Sequence, residues 1–210
     1  MTDVCVVDLG LGNVASVLRA VGRAGGRARL TAEPDAIARA THLLVPGQGE
    51  FGRAARALHS GIGEAIVEAL ARGGRYFGIC LGMQLLFERS EESPGARGLA
   101  LMRGHVRRLP RDARDPVRGE RLKVPHVGWN EVVGRHPWLP ARCWYYFVHS
   151  YVCVPDDDAV VAGTTEHGVS FPAAVSQGPV FAVQFHPEKS QQAGEDLLAR
   201  WIAGEAPRSG

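Results

Sequence analysis

Cys80 lies between Gly78 and Gly82 in the run Tyr76-Phe77-Gly78-Ile79-Cys80-Leu81-Gly82-Met83-Gln84-Leu85-Leu86-Phe87. This is a Gly-x-nucleophile-x-Gly spacing, with cysteine in the place serine often takes. Tyr76 to Ile79 reads as a short buried strand, and Met83 to Phe87 as the start of a buried helix. A nucleophile on so tight a strand-to-helix turn projects its sulfur clear of the backbone, and the turn tolerates no β-carbon on either side. The helix beginning at Leu81 directs free N–H groups and the positive end of its dipole at the sulfur, which favours a negative charge there. The competing reading is a small buried hydrophobe, the ordinary fate of a free cysteine.

A thiol nucleophile needs a base, and the base needs a group to orient it. The chain has eight histidines, so availability alone proves nothing. His186 is set apart by its surroundings, Phe181-Ala182-Val183-Gln184-Phe185-His186-Pro187-Glu188. An apolar strand ends at the imidazole, and residues i and i+2 of an extended chain share a face, which brings Glu188 to it. Pro187 fixes its own φ and biases His186 toward extended geometry. His126, His136 and His149 have no acid two residues on and read as structural or substrate-contacting. The candidate triad is therefore Cys80, His186 and Glu188.

Acyl transfer also calls for donors to the oxyanion. The Leu81 N–H at the elbow offers one. The second is expected from Pro46-Gly47-Gln48-Gly49, after a strand adjacent in sequence. There the Gln48 N–H completes the hole once the Gly47–Gln48 peptide faces Cys80, and the flanking glycines admit either orientation. Away from a cysteine elbow, the same segment would read as an ordinary turn.

These groups need elements to position them. Val4 to Asp8 is a continuous apolar run ending in an acid, as in a buried parallel strand. Asn13 is placed to cap a helix whose apolar positions Val14, Val17, Leu18 and Val21 fall on one face. Strands follow at 27–30 and 42–45, with a short helix at 33–40 between them. One long helix is expected to carry Ile62, Ala65, Ile66, Ala69 and Leu70, ending at Gly73-Gly74. The next strand delivers Cys80. Alternating strands and helices imply a doubly wound parallel sheet with its sites beyond the carboxyl ends of the strands. From about Ala100 the pattern becomes short strand-like pieces: 100–109, 123–127, 144–151, 160–165, 173–176 and 180–185. Ser190 is placed to cap a last helix with Leu197, Leu198, Trp201 and Ile202 inward. The expected class is α/β and flavodoxin-like: an open, largely parallel sheet with helices on both faces, plus antiparallel hairpins in the C-terminal half. A single domain over 1–210 is expected, without repeats or linkers.

Composition removes several function classes. The chain has 210 residues and a formal net charge of +2, too mild to argue for nucleic acid. The arginines between Arg107 and Arg121 are interleaved with acids and lack stacking aromatics, so they read as a solvated hairpin tip. No run of roughly 18 apolar residues suggests a membrane span. Asp3 precedes any basic region, so a signal peptide is not expected and the cytoplasm is the default. Cys5, Cys80, Cys143 and Cys153 show no C-x-x-C spacing, so neither a metal site nor a redox pair is expected. Gly10-x-Gly12 is followed by Ala15 without a convincing acidic partner, so no nucleotide cofactor is expected.

G-I-C-L-G-M-Q (Gly78–Gln84) together with Q-F-H-P-E-K-S (Gln184–Ser190) resembles the class I, triad-type glutamine amidotransferases. Four more segments narrow the resemblance to the glutaminase subunits of imidazole glycerol phosphate synthase. They are D-L-G-L-G-N (Asp8–Asn13), P-G-Q-G-E-F-G (Pro46–Gly52), V-P-H-V-G-W-N (Val124–Asn130) and Y-F-V-H-S-Y (Tyr146–Tyr151). The matches run from Asp8 to Ser190 in order. The Cys and His-Pro-Glu motifs are common to many amidotransferases, and V-P-H-V-G-W-N discriminates against the others. The family often has valine where Gln48 stands and an aromatic where Leu9 stands.

The resemblance implies that Cys80 attacks the side-chain amide of L-glutamine while His186 protonates the departing ammonia. Gln84, Gly49 and the Ser150–Tyr151 backbone are implied to hold the amino and carboxylate ends of the substrate. Ammonia is implied to pass to a (βα)8-barrel cyclase subunit, in a heterodimer serving histidine biosynthesis. Lys189, His126, Trp129 and Asn130 are implied to lie near that partner. A non-enzymatic flavodoxin-like interaction module and a free-standing cysteine hydrolase are the rival classes. The intact Cys-His-Glu set argues against the first, and glutamate release with and without a barrel partner separates the rest.

Overall fold

The computed structural model describes residues 1–115 and 119–204. Twelve strands and six α-helices are present among them. The first half alternates as expected: β1 Thr2–Val7, α1 Ala15–Arg23, β2 Gly26–Thr31, α2 Pro34–Ala38, β3 His42–Gly47, α3 Phe51–Ala57, α4 Gly63–Ala71, β4 Arg75–Cys80 and α5 Leu81–Gln84. The second half holds β5 Arg89–Ser90, β6 Gly104–Arg108, β7 His126–Gly134, β8 Cys143–His149, β9 Tyr151–Pro155, β10 Val161–Glu166, β11 Ser170–Gln177, β12 Val180–Val183 and α6 Gln191–Ala203.

Nine strands form one sheet in the order β2-β1-β3-β4-β12-β11-β10-β7-β8. The first five run parallel, and β12, β11, β10, β7 and β8 continue by antiparallel pairing. The hairpins thus extend the parallel sheet rather than packing beside it. Only β5, β6 and β9 form a separate small sheet. Strand β4 sits mid-sheet between β3 and β12, with Gly47 opposite Cys80 and Val183 opposite Ile79. The carboxyl ends of three parallel strands therefore converge on Cys80, the place where such sheets carry their sites.

Both faces of the sheet are covered. Leu43, Val45 and Tyr76 pack with Ile37, Leu58, Ile62 and Ile66 on one face. Leu44, Phe77 and Ile79 pack with Val17, Val21, Leu197, Leu198 and Trp201 on the other. Adjacent strand residues point to opposite faces, so a continuous apolar run is what a doubly covered strand requires. Trp201 is fully buried, with its ring 5.3 Å from that of Phe77.

Several local expectations are corrected. The long helix is interrupted at Ser60 and Gly61, where Gly61 takes φ +93° and divides α3 from α4. The helix after Cys80 is a single turn, continued by Leu85 to Phe87 as buried turns bonding back to Leu81, Met83 and Gln84. The strand-like stretch 144–151 is two strands: β8 joins the large sheet and β9 the small one, with Ser150 between them. Strand 123–127 instead begins at His126 and runs on to Gly134. Asn13 accepts from the Ala15 N–H at 3.1 Å, one residue outside the first turn. Ser190 does not cap α6 with its side chain and is used elsewhere. The hairpin tip expected around Arg114 and Arg121 is, by contrast, present as an antiparallel bridge between them, and Arg118 lies outside the described residues.

Candidate active site

The elbow geometry is explicit in the backbone. Cys80 has φ +52° and ψ −100°, a region L-residues rarely enter. Such a residue costs about 1–3 kcal/mol, and surrounding structure must enforce it. The enforcement is packing around the two glycines. A β-carbon on Gly78 would meet the Gly82 carbonyl at 2.8 Å, and one on Gly82 would meet the Val45 carbonyl oxygen at 1.9 Å. Neither glycine has positive φ; both are needed because α5 lies directly against β3 and β4.

Strand β12 runs past β4 into Gln184, Phe185 and His186. The His186 ring bonds through Nδ1 to Glu188 Oε1 at 2.8 Å, with both side chains buried. A carboxylate only accepts, so Nδ1 carries the proton and Nε2 is the free nitrogen. His186 Nε2 is buried without a hydrogen-bond partner. Burial opposes charge on this imidazole, but the neighbouring Cys80 and Glu188 outweigh it and push its pKa up to about 9. The arrangement thus favours an imidazolium beside Cys80.

Two bonds fasten the segment carrying His186 to β8, and a third ties the segment to itself. The His186 N–H donates to the Tyr146 carbonyl at 2.8 Å, and the Tyr146 N–H donates to Ser190 Oγ at 3.0 Å. The Ser190 hydroxyl donates to the His186 carbonyl at 2.6 Å. Ser190 therefore secures the histidine instead of capping the helix.

A cleft of about 340 Å³ opens beside Cys80. Gln48, Gly49, Leu81, Gln84, Ser150, Tyr151 and Lys189 line it together with Cys80, so it gathers the sequence-derived oxyanion and substrate candidates. Gly47 is closely confined, since a β-carbon there would meet Leu81 Cβ at 2.7 Å, whereas Gly49 has φ +140°. The four partner candidates divide. Lys189 lies at the cleft with its Nζ over the Tyr146 ring, 5.9 Å from the centroid. Trp129 is exposed, Asn130 is half-buried, and the His126 side chain is buried within the chain, 4 % exposed. None of those three lines the cleft.

Three further groups stand at the site, of which the sequence singled out only His149, as structural or substrate-contacting. Gln184 is fully buried and donates from Nε2 to Cys80 Sγ at 3.4 Å. His149 lines the cleft and bonds to the Tyr151 carbonyl at 2.9 Å. Glu92 also lines the cleft and accepts from the Phe51 N–H at 2.7 Å, while Ser93 Oγ accepts from the Gly52 N–H at 3.0 Å. Together they satisfy the first N–H groups of α3, which its own N-terminal residue Glu50 does not cap. Burial raises the Glu92 pKa against the opposing Phe51 N–H. Among the described residues, no group of His, Cys, Asp or Glu is arranged to hold a metal ion.

The class-I glutamine amidotransferase family model matches residues 5–203. The chain is 43 % identical over 213 residues to the imidazole glycerol phosphate synthase subunit HisH of Methylococcus capsulatus, covering 98 % of each. It is 42 % identical to the subunit of the same name in Aromatoleum aromaticum, covering 97 % of this chain and 99 % of that one. Among solved structures, a glutamine amidotransferase superposes with a TM-score of 0.73 at 21 % identity, covering 96 % of this chain and 99 % of that chain. PurLQS from Thermotoga maritima superposes with a TM-score of 0.69 at 18 % identity, covering 97 % and 98 %. These last two bear on the fold alone. With a family model spanning nearly the whole chain and relatives above 40 % identity end to end, the chain belongs to the class-I glutamine amidotransferases, in the family of the HisH subunits of imidazole glycerol phosphate synthase.

Proposed function

We propose that the chain hydrolyses L-glutamine to glutamate and ammonia through Cys80, His186 and Glu188. The observation that carries this reading is the buried His186–Glu188 pair, neighboured by a strained, glycine-flanked cysteine that helps raise the His186 pKa. Cys80 Sγ attacks the carboxamide carbon, and the carbonyl oxygen gains the negative charge. The Leu81 and Gln48 N–H groups are the proposed donors to that oxygen. His186 gives its proton to the departing nitrogen, which leaves as ammonia, and a thioester remains on Cys80. A water molecule then loses a proton to His186, attacks the thioester and releases glutamate, restoring the thiolate.

The second product goes to a partner. The relatives are named as subunits of a synthase, which supports a barrel cyclase subunit in a heterodimer as the consumer of ammonia, in histidine biosynthesis. Val127, Trp129 and Val133 alternate along β7 and, with Trp144 of β8, leave apolar area exposed. Patches of this kind mark protein contacts, which supports Trp129 and Asn130 at the interface with Lys189 at the cleft rim. His126 contributes there from behind the surface. A single domain and a cytoplasmic location complete the reading; no helix among the described residues is long and apolar enough to cross a membrane.

The test is glutamate release by the chain with and without the barrel partner. Cys80→Ala abolishes glutamine hydrolysis while the complex still makes product from free ammonium. Hydrolysis at a rate near that of the native chain in Cys80→Ala overturns the assignment.

A further inference from the structure

A chain of hydrogen bonds runs from strand β7 to the Cys80 sulfur through two histidines that the reaction itself does not use. Asn130 Nδ2 donates to the Glu166 carbonyl at 2.7 Å, and Asn130 Oδ1 accepts from the Glu131 N–H at 2.8 Å. Those two bonds fix which end of the amide is which. The same Nδ2 lies 3.3 Å from His126 Nε2, so Nε2 must accept. His126 then carries its proton on Nδ1 and donates to His149 Nε2 at 3.1 Å. His149 carries its proton on Nδ1, which lies 2.9 Å from the Tyr151 carbonyl oxygen, a pure acceptor. Every proton in the run is thereby assigned, and both imidazoles are neutral.

The far end of the run reaches the site. The Tyr151 carbonyl has two lone pairs. His149 takes one, and Gln84 Nε2 takes the other at 3.2 Å. Gln84 Nε2 also donates to Gln184 Oε1 at 3.3 Å, and Gln184 Nε2 donates to Cys80 Sγ at 3.4 Å. The rings themselves have no freedom to wander. His126 is stacked between His167, with centroids 4.1 Å apart, and Phe147 at 4.9 Å. The register places His126 directly opposite His149 on paired strands β7 and β8. An added proton on either ring would set donor against donor, and burial together with the neighbouring imidazoles lowers both pKa values to about 3.

We propose that His126 is a positioning residue for the glutaminase reaction: through His149 it fixes the Tyr151 carbonyl, the shared anchor of the glutamine clamp at Ser150–Tyr151 and of Gln84. Ser150 and Tyr151 stand where the chain leaves the large sheet for the small one. The Ser150 carbonyl there accepts from the Leu109 N–H at 2.9 Å, whereas the Tyr151 carbonyl accepts from the His149 and Gln84 side chains, so the side-chain run is what supports it. This inference rests on the glutaminase reading above, and His126 touches neither substrate nor sulfur.

The test uses the chain assembled with its barrel partner. Imidazole nitrogen NMR at pH 7 is expected to report His126 and His149 as neutral rings protonated on Nδ1; an Nε2-protonated form of either overturns the proposal. This readout is independent of activity, so it stands apart from the Cys80→Ala test. His126→Leu removes the donor to His149 and is expected to raise KM for glutamine roughly ten-fold, the scale of one buried hydrogen bond, with a smaller change in kcat. Labelling of Cys80 by a glutamine-shaped diazoketone slows by a similar factor, while alkylation by iodoacetamide, which needs only the thiolate, stays within about two-fold. His126→Asn, whose amide nitrogen stands near the position of Nδ1, restores KM. An unchanged KM in His126→Leu overturns the proposal. A parallel loss of iodoacetamide reactivity also overturns it, since the effect would then be on the thiol and not on the clamp. Should His126→Leu fail to fold, the tautomer measurement on the native chain decides alone.

Discussion

The Val45 carbonyl oxygen of β3 occupies the space that a β-carbon on Gly82 would need, 1.9 Å from its ideal position. The turn that carries the nucleophile is thus seated on the neighbouring strand with no side chain between them. Gly82→Ala must push α5 off the sheet, and overpacking of this severity costs about 3 kcal/mol or more. Denaturant unfolding is expected to show that loss together with a fall in glutaminase activity. A neutral Gly82→Ala would mean that the elbow has slack.

Backbone strain at Cys80 can be measured separately from its chemistry. Glycine enters the positive-φ region without penalty, and alanine does not. Cys80→Gly and Cys80→Ala both lose the sulfur and the reaction. Cys80→Gly is nevertheless expected to be the more stable by about 1–3 kcal/mol. Equal unfolding midpoints would indicate that the turn relaxes once the sulfur is gone.

Protonated His186 is the proposed acid for the leaving nitrogen, so activity is present below its pKa and lost above it. The high-pH limb of kcat/KM is expected near pH 9. Glu188 is one of the groups that raise this pKa. Glu188→Gln therefore moves the limb to lower pH, and costs less activity than Cys80→Ala because it leaves the nucleophile in place. A limb that does not move would assign the titration to another group.

Stability should also follow the histidines, with opposite signs. His126 and His149 have folded pKa values of about 3, against roughly 6.5 when unfolded. The unfolded chain binds more protons between these values, so their contribution is complete above pH 6.5 and is lost as pH falls toward 3. His186 is raised to about 9, so its contribution is complete below pH 6.5 and is lost as pH rises toward 9. Urea midpoints in the double variant His126→Gln/His149→Gln are expected to fall less steeply than the native chain's from pH 6.5 to 4. Parallel slopes would remove these two rings as the source.

Local patterns in the sequence determined the parallel half of the sheet, the elbow and the His186–Glu188 pair. The reason is range. A buried strand is a short apolar run, a tight turn is written in the glycines beside Cys80, and Glu188 meets His186 from two residues away. The glycine-rich loop after β3 pointed to Gln48, and family resemblance added Gly49, Gln84, Ser150, Tyr151 and Lys189; the fold draws all six around one cleft. Tertiary structure alone decided the remainder. His126 and His149 meet because their strands pair in one register, and Gln184 reaches Cys80 because β12 lies beside β4. Ser190 looks like a helix cap in sequence, yet its hydroxyl is taken by the His186 carbonyl and its oxygen by the Tyr146 N–H. Glu92 and Ser93 cap α3 from 41 residues away. Contacts of that kind join side chains with no periodicity or spacing in common, so they exist only once the chain has closed on itself.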